Sequence, residues 1–159
     1  MKHQLVLALV TISSVTTFSQ STRFYSDPQA TFKEAKEYFQ KEQYSLAYPI
    51  FKELQQSVRE TDKGNTAITV QEIGYYATVC ALKQNEGRAE EQAQSYIDYE
   101  KNNPRVQMMS YHLGEYYFRK QLFADAAKQF EHTNIVNLSN KEIADMKFHQ
   151  GYSYFTLQR

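Results

Sequence analysis

The residues of this sequence that could bind a metal ion are four histidines, one cysteine and scattered carboxylates. His112 and His149 occupy equivalent places in two neighbouring stretches of similar sequence, so they could approach each other on adjacent helices. A metal site would also need a third ligand, such as a carboxylate, that converges on the same point. The sequence does not indicate one, so we expect packing or surface roles for both histidines and no bound metal.

Catalytic patterns are absent from the sequence as well. It contains no glycine-rich phosphate loop, no Gly-x-Ser-x-Gly turn and no His-Glu-x-x-His helix. Adjacent carboxylates such as Glu90 and Glu91 are more typical of a solvated helix surface than of acid–base catalysis. Cys80 is the only cysteine, which excludes an internal disulfide, and we expect it in the apolar core. The sequence therefore predicts a protein that is not an enzyme and needs no cofactor.

The composition restricts the class of partner. The chain has 159 residues, 42% of them hydrophobic, which is enough for one modest domain with a core. Its 18 basic and 18 acidic residues balance, so there is no electrostatic case for binding nucleic acid or an anionic membrane. Aromatic residues are unusually frequent, with 13 tyrosines and 10 phenylalanines but no tryptophan. That surplus needs a structural explanation.

Residues 1–19 have the layout of a secretory signal peptide. A weakly basic start precedes the apolar run 5–12, and small polar residues follow it up to a plausible cleavage point between Ser19 and Gln20. The apolar run is shorter than the roughly 20 residues that span a bilayer, so we expect no membrane span in the mature chain. The ending Phe18-Ser19-Gln20 resembles signal peptides of Bacteroidetes-type bacteria, which predicts export to the periplasm.

A repeated spacing organises the rest of the chain. Its clearest copy has a small residue, an aromatic three residues later, another aromatic six residues on, then Ala-x-x-x-Phe. This copy consists of Leu113, Gly114, Tyr117, Phe123, Ala126 and Phe130. The pattern Leu-Gly-x-x-Tyr followed by Ala-x-x-x-Phe resembles the tetratricopeptide repeat. The same spacings recur at Ala35, Tyr38, Tyr44, Ala47 and Phe51.

Two partial copies complete the pattern. A looser one starts at Ala77 and Cys80, and a half copy contains Gly151 and Tyr154. The repeats would cover about 28–56, 70–104 and 107–136, with a half repeat at 140–159. The missing tryptophan departs from the family pattern.

The resemblance implies an all-α fold, an α-solenoid of antiparallel helix pairs wound into a right-handed superhelix. The small residue of each copy would let two helices approach closely, and the aromatics would fill the space between neighbouring pairs. Helix starts are indicated by Asp27-Pro28 and by Ser139 three residues before Glu142, a capping-box spacing. The tyrosine and phenylalanine surplus would then belong to the packing.

The resemblance also implies a function, that of a protein–protein interaction scaffold. A peptide or a partner helix would bind in the concave groove lined by the first helix of each pair. By analogy with the family, the predicted groove residues are Phe32, Lys36, Gln71, Thr78, Met108, Tyr111, Glu115, Arg119, Asp145, Phe148 and Tyr152. With the signal peptide, this places the predicted scaffold in the cell envelope.

The half repeat leaves two alternatives for its apolar face. Either these residues are the N-terminal part of a longer repeat protein, or the open C-terminal helix self-associates with another copy. The alternative function is that of the extracytoplasmic sensor region of a larger signalling protein with such repeats, for example a histidine kinase. A weaker alternative is the targeting module of an exported enzyme.

Overall fold

A computed structural model of the chain describes residues 27–60 and 69–158, so the predicted signal peptide at 1–19 lies outside the described residues. The described part contains helices and no strand, which confirms the all-α prediction. The seven α-helices are α1 (Pro28–Gln40), α2 (Tyr44–Glu60), α3 (Val70–Gln84), α4 (Ala89–Tyr99), α5 (Asn103–Arg119), α6 (Phe123–Glu131) and α7 (Asn140–Leu157). A short 3-10 turn, Ile135–Asn137, precedes α7.

Side chains cap the helix starts that the sequence marks. The Asp27 carboxylate accepts the Gln29 N–H at 3.0 Å, and Pro28 occupies the first turn of α1. Before α7, the Ser139 hydroxyl accepts the Glu142 N–H while the Glu142 carboxylate accepts the Ser139 N–H. Both predicted helix starts are thereby confirmed, because each uses a local hydrogen bond that its own residues supply.

The turns inside the helix pairs repeat as well. Between α1 and α2, Glu42 has a φ of 58°, and the Gln43 N–H donates to the Tyr38 carbonyl at 2.9 Å. Between α5 and α6, Gln121 has a φ of 62°, and the Leu122 N–H donates to the Tyr117 carbonyl at 2.9 Å. A left-handed residue followed by a bond back across five residues satisfies carbonyls that the helix end leaves open. Asn85, with a φ of 58°, does the same after α3.

Each helix packs against the next one along the chain. In addition, α1 contacts α3, α3 contacts α5, and α5 contacts α7. The odd-numbered helices therefore form a row of their own. The side chains of this row therefore share one surface of the molecule.

The core consists of two adjoining clusters of buried side chains. One joins α1, α2 and α3 around Phe32, Phe51 and Ile73, and it contains the fully buried Cys80 as predicted. The other extends from α3 to α7. The small residues of the first two copies, Ala35 and Ala77, are buried between helices.

Helix α7 differs from the others because much of its apolar surface is exposed. Its exposed hydrophobic side chains are Phe148, Tyr152, Tyr154, Phe155 and Leu157, with Phe148 at 67% exposure. Among residues 27–60 and 69–158, neither α7 nor any other helix is long and apolar enough to cross a membrane. The prediction of an open apolar face on this helix matches these exposures.

Candidate functional site

A cavity of about 330 Å³ lies along the row of odd-numbered helices. Side chains from α1, α3, α5 and α7 line it, and Tyr44 from the start of α2 completes its wall. We call it the odd-helix cavity. Four predicted groove residues come together there, namely Met108, Tyr111, Glu115 and Asp145.

Aromatic rings form one wall of the odd-helix cavity. Phe39 packs edge-on against Tyr76, with ring centroids 5.0 Å apart, and against Tyr44 at 5.5 Å. Tyr75 packs edge-on against Tyr76 at 5.2 Å. Edge-to-face pairs of this kind hold rings in fixed orientations. The wall therefore presents rigid apolar surface to whatever enters.

A buried hydrogen bond joins α3 to α5 beside this wall. The Tyr75 hydroxyl lies 3.1 Å from His112 Nε2. His112 lines the cavity, is only 7% exposed, and its Nδ1 has no hydrogen-bond partner in the described part of the chain. Burial, with smaller effects from Lys83 and Arg119, lowers the pKa of His112 to about 3. The imidazole is thus neutral near pH 7 and carries one unused polar atom.

Acidic groups gather where α5 meets α7. Glu115 Oε1 lies 2.7 Å from His149 Nδ1, which ties the two helices together. Burial raises the pKa of the Tyr111 phenol, and nearby Glu115, Glu142 and Asp145 raise it further. These three carboxylates therefore act together on the same tyrosine.

Two lysines line the cavity, Lys83 near the end of α3 and Lys141 at the start of α7. Burial lowers the pKa of the Lys83 ammonium, and the neighbouring Arg119 lowers it further. The Arg119 Nη2 donates to the Leu82 carbonyl at 2.8 Å. The odd-helix cavity thus contains charges of both signs, and Glu42, Glu115 and Glu142 act on Lys83 as well.

The remaining predicted groove residues lie in other places. Phe32 is buried in the core, edge-on to Phe51 at 5.9 Å, and Lys36 lies over the Phe32 ring. Gln71 and Thr78 line a separate cavity of about 570 Å³ between α2, α3 and α4.

Phe148 and Tyr152 both lie on α7, but only Tyr152 packs against α5 and α6. Tyr152 contacts the rings of Phe118 and Phe123 at 5.8 and 5.6 Å, while Phe148 stays mostly exposed. These two residues form a surface distinct from the four that line the odd-helix cavity.

Three cavity-lining residues of α3 were not predicted from the sequence, namely Tyr75, Tyr76 and Lys83. A signal for them exists in the spacing, because Tyr76 and Lys83 are seven residues apart and so share one helix face. The copy that contains α3 matches the repeat loosely, and that match indicated a different face of the helix, the one with Gln71 and Thr78.

No protein-family model matches this chain, and no curated protein or solved structure matches it either. Within the described residues, no group of three or more histidine, cysteine, aspartate or glutamate side chains is gathered to hold a metal ion. The odd-helix cavity offers aromatic surface, charged groups of both signs and one imidazole nitrogen without a partner among the described residues. Those are features suited to holding a ligand.

Proposed function

We propose that this chain is a tetratricopeptide-like solenoid that works as a non-catalytic scaffold in the cell envelope and binds a partner polypeptide in the odd-helix cavity. The single observation that carries the proposal is this cavity, to which all four odd-numbered helices contribute side chains. In a stack of helix pairs, the first helices of successive pairs line one continuous surface.

The repeat assignment has support beyond the sequence spacing. The turns at Glu42 and Gln121 have nearly the same φ and the same closing hydrogen bond, at equivalent points of two copies. The contacts of α1 with α3, α3 with α5, and α5 with α7 are those expected when helix pairs stack in order. The export signal read from residues 1–19 is the basis for proposing the cell envelope.

The chemistry of the cavity favours a polypeptide over a small metabolite. Its rings and the half-buried Met108 provide apolar contact, while Lys83, Glu115 and Asp145 provide charged groups at separate points. Protein partners are commonly held by aromatic anchors surrounded by polar groups. An extended segment or a helix could follow the row of odd-numbered helices and contact each in turn.

Site-specific photo-crosslinking in the native host tests this proposal. A photoreactive amino acid replaces Met108 in one variant and Gln94, on the exposed face of α4, in a matched control. We expect one crosslinked polypeptide of defined mass from position 108 and none from position 94. Crosslinks from position 94 alone would move the binding surface away from the odd-helix cavity. No crosslink at either position would contradict the scaffold function.

A further inference from the structure

We propose that the odd-helix cavity recognises a lysine or arginine side chain of the partner, held between Tyr111 and the carboxylates of Glu142 and Asp145. This inference rests on the proposed function, because it names the chemistry of the polypeptide that the cavity would bind. Four observations lead to it: the local excess of acid, the availability of two carboxylates, the behaviour of the chain's own lysines toward the rings, and the unused nitrogen of His112.

The cavity is acidic although the whole chain is neutral. Its lining includes four carboxylates but only two lysines, Lys83 and Lys141. The acidic residues of the lining are Glu42, Glu115, Glu142 and Asp145. Three of them act on Tyr111, and Glu42, Glu115 and Glu142 also act on Lys83, which offsets part of the acidic charge. A cationic side chain is therefore favoured at the Tyr111 end.

Two of these carboxylates can accept a new partner. Glu142 bonds the Ser139 N–H and hydroxyl through Oε2 at 2.8 and 2.6 Å, which leaves Oε1 for another donor. Asp145 is partly buried, and no lysine or arginine of the described residues forms an ion pair with it. Carboxylates without a counter-charge gain most from an incoming cation when they are partly desolvated.

The rings of the cavity wall already attract ammonium groups within the molecule. The Lys36 Nζ lies 5.3 Å from the centroid of Tyr76, and the Lys83 Nζ lies 6.0 Å from that of Tyr44. Cations at such distances are attracted by the negative faces of aromatic rings. The same wall can therefore support the stem and charge of a basic side chain that enters beside it.

His112 has one buried polar atom without a hydrogen-bond partner among the described residues. Its ring lines the cavity and is more than nine-tenths buried, yet Nδ1 has no partner in the described part of the chain. Buried polar atoms are almost always hydrogen-bonded, so an unused one calls for an explanation. Nδ1 is an acceptor when Nε2–H donates to the Tyr75 oxygen and a donor when the Tyr75 hydroxyl donates to Nε2, and the first tautomer suits an N–H of a guanidinium or ammonium group.

Isothermal titration of the purified full-length chain with three capped tripeptides tests the inference. The probes are phenylalanine–X–phenylalanine, with lysine, norleucine or glutamate at X. Norleucine keeps the alkyl stem of lysine and lacks the charge, so the comparison isolates the cation. We expect the lysine probe to bind roughly 10-fold more tightly than the norleucine probe and the glutamate probe to bind most weakly.

Charge-removing variants locate the site. E142Q and D145N are close in shape to the native residues, and glutamine at position 142 can maintain the capping box. We expect the double variant to lose the preference for lysine while E53Q, which neutralises an exposed carboxylate on α2, leaves it unchanged. Circular dichroism spectra verify that the double variant and E53Q are folded like the native chain.

The possible outcomes separate this inference from the proposed function. One outcome is equal affinity for the lysine and norleucine probes, with the binding of both abolished when Met108 is replaced by alanine. That result would overturn the basic-residue inference and leave the proposed scaffold function standing. Tightest binding of the glutamate probe would overturn it in favour of the Lys83 end. If no probe binds, or if E53Q abolishes the preference as fully as the double variant, the inference is wrong.

Discussion

The ring of Phe130 lies so close to Gly114 that a Cβ on residue 114 would come within 2.7 Å of it. Phe130 belongs to α6 and is 2% exposed, so its ring has no free space into which to move. Helices α5 and α6 can therefore approach closely only because residue 114 lacks a side chain. Gly151 holds the equivalent place on α7, where an added Cβ would meet nothing within 4 Å.

This contrast predicts opposite effects for two identical substitutions. We expect G114A to lower the free energy of unfolding by about 1–3 kcal/mol, because the methyl group overpacks against Phe130. We expect G151A to raise it by about 0.5–1 kcal/mol, because alanine is the better helix residue and nothing opposes it. Urea denaturation followed by circular dichroism measures both. Similar effects at the two positions would show that α6 does not pack on Gly114 in this way.

Cys80 should resist thiol reagents while the chain is folded. Its side chain is fully buried, and burial raises the pKa of the thiol to about 12. Since only the thiolate attacks, we expect an aromatic disulfide reagent to react at least on the order of 100-fold more slowly with the folded chain than with the denatured chain. Labelling of Cys80 in the denatured chain is the matched control, because it measures the reactivity of the same residue without the fold. Rapid stoichiometric labelling of the folded chain would mean that α3 opens readily around this cysteine.

Stability should decrease in mildly acidic solution because of His112. The unfolded chain takes up a proton near the ordinary histidine pKa of 6.5, whereas burial keeps the folded imidazole neutral down to about 3. The unfolded state therefore binds more protons between these values, so stability falls as the pH falls through this window. The contribution approaches roughly 1 kcal/mol for each pH unit.

The variant H112N isolates this contribution. Asparagine does not titrate, so we expect a flatter dependence of the unfolding free energy on pH between 6 and 4 than in the native chain, whatever the overall loss of stability. H132N, which replaces an exposed histidine, is the matched control. Parallel slopes for the native chain and H112N would show that His112 is accessible to protons in the folded state.

Features that depend on short stretches of chain could be predicted from the sequence. The capping box of Ser139 and Glu142 needs only neighbouring residues, and so does the helix start at Pro28. Met108, Tyr111 and Glu115 were predicted to share one surface because this stretch resembles the tetratricopeptide repeat. All three do line the same cavity. Their role in binding stays a prediction.

Features that join distant parts of the chain could not be predicted in this way. The bond from Tyr75 to His112 and the contact of Glu115 with His149 depend on how far α3, α5 and α7 are rotated against one another. Spacing within one helix does not determine that rotation. On α3 the weak repeat match indicated the face of Gln71 and Thr78, which lines a different cavity, so Lys83 and its neighbours were not predicted.

Arg119 shows how a residue predicted for binding can instead stabilise the fold. Its Nη2 donates to the carbonyl of Leu82, in the last turn of α3, where helix carbonyls attract cations. We expect R119M to lower the free energy of unfolding by about 1–2 kcal/mol. The loss is limited because the Asn85 N–H also donates to the Leu82 carbonyl, which therefore keeps one partner in the variant. K120M is the matched control, since Lys120, like Arg119, is exposed and lies over the Tyr116 ring, whereas of the two only Arg119 donates to the Leu82 carbonyl. Urea denaturation measures both variants. If both lose the same free energy of unfolding, the bond between Arg119 and Leu82 does not stabilise the fold, and the prediction that Arg119 belongs to the binding surface is the one to test.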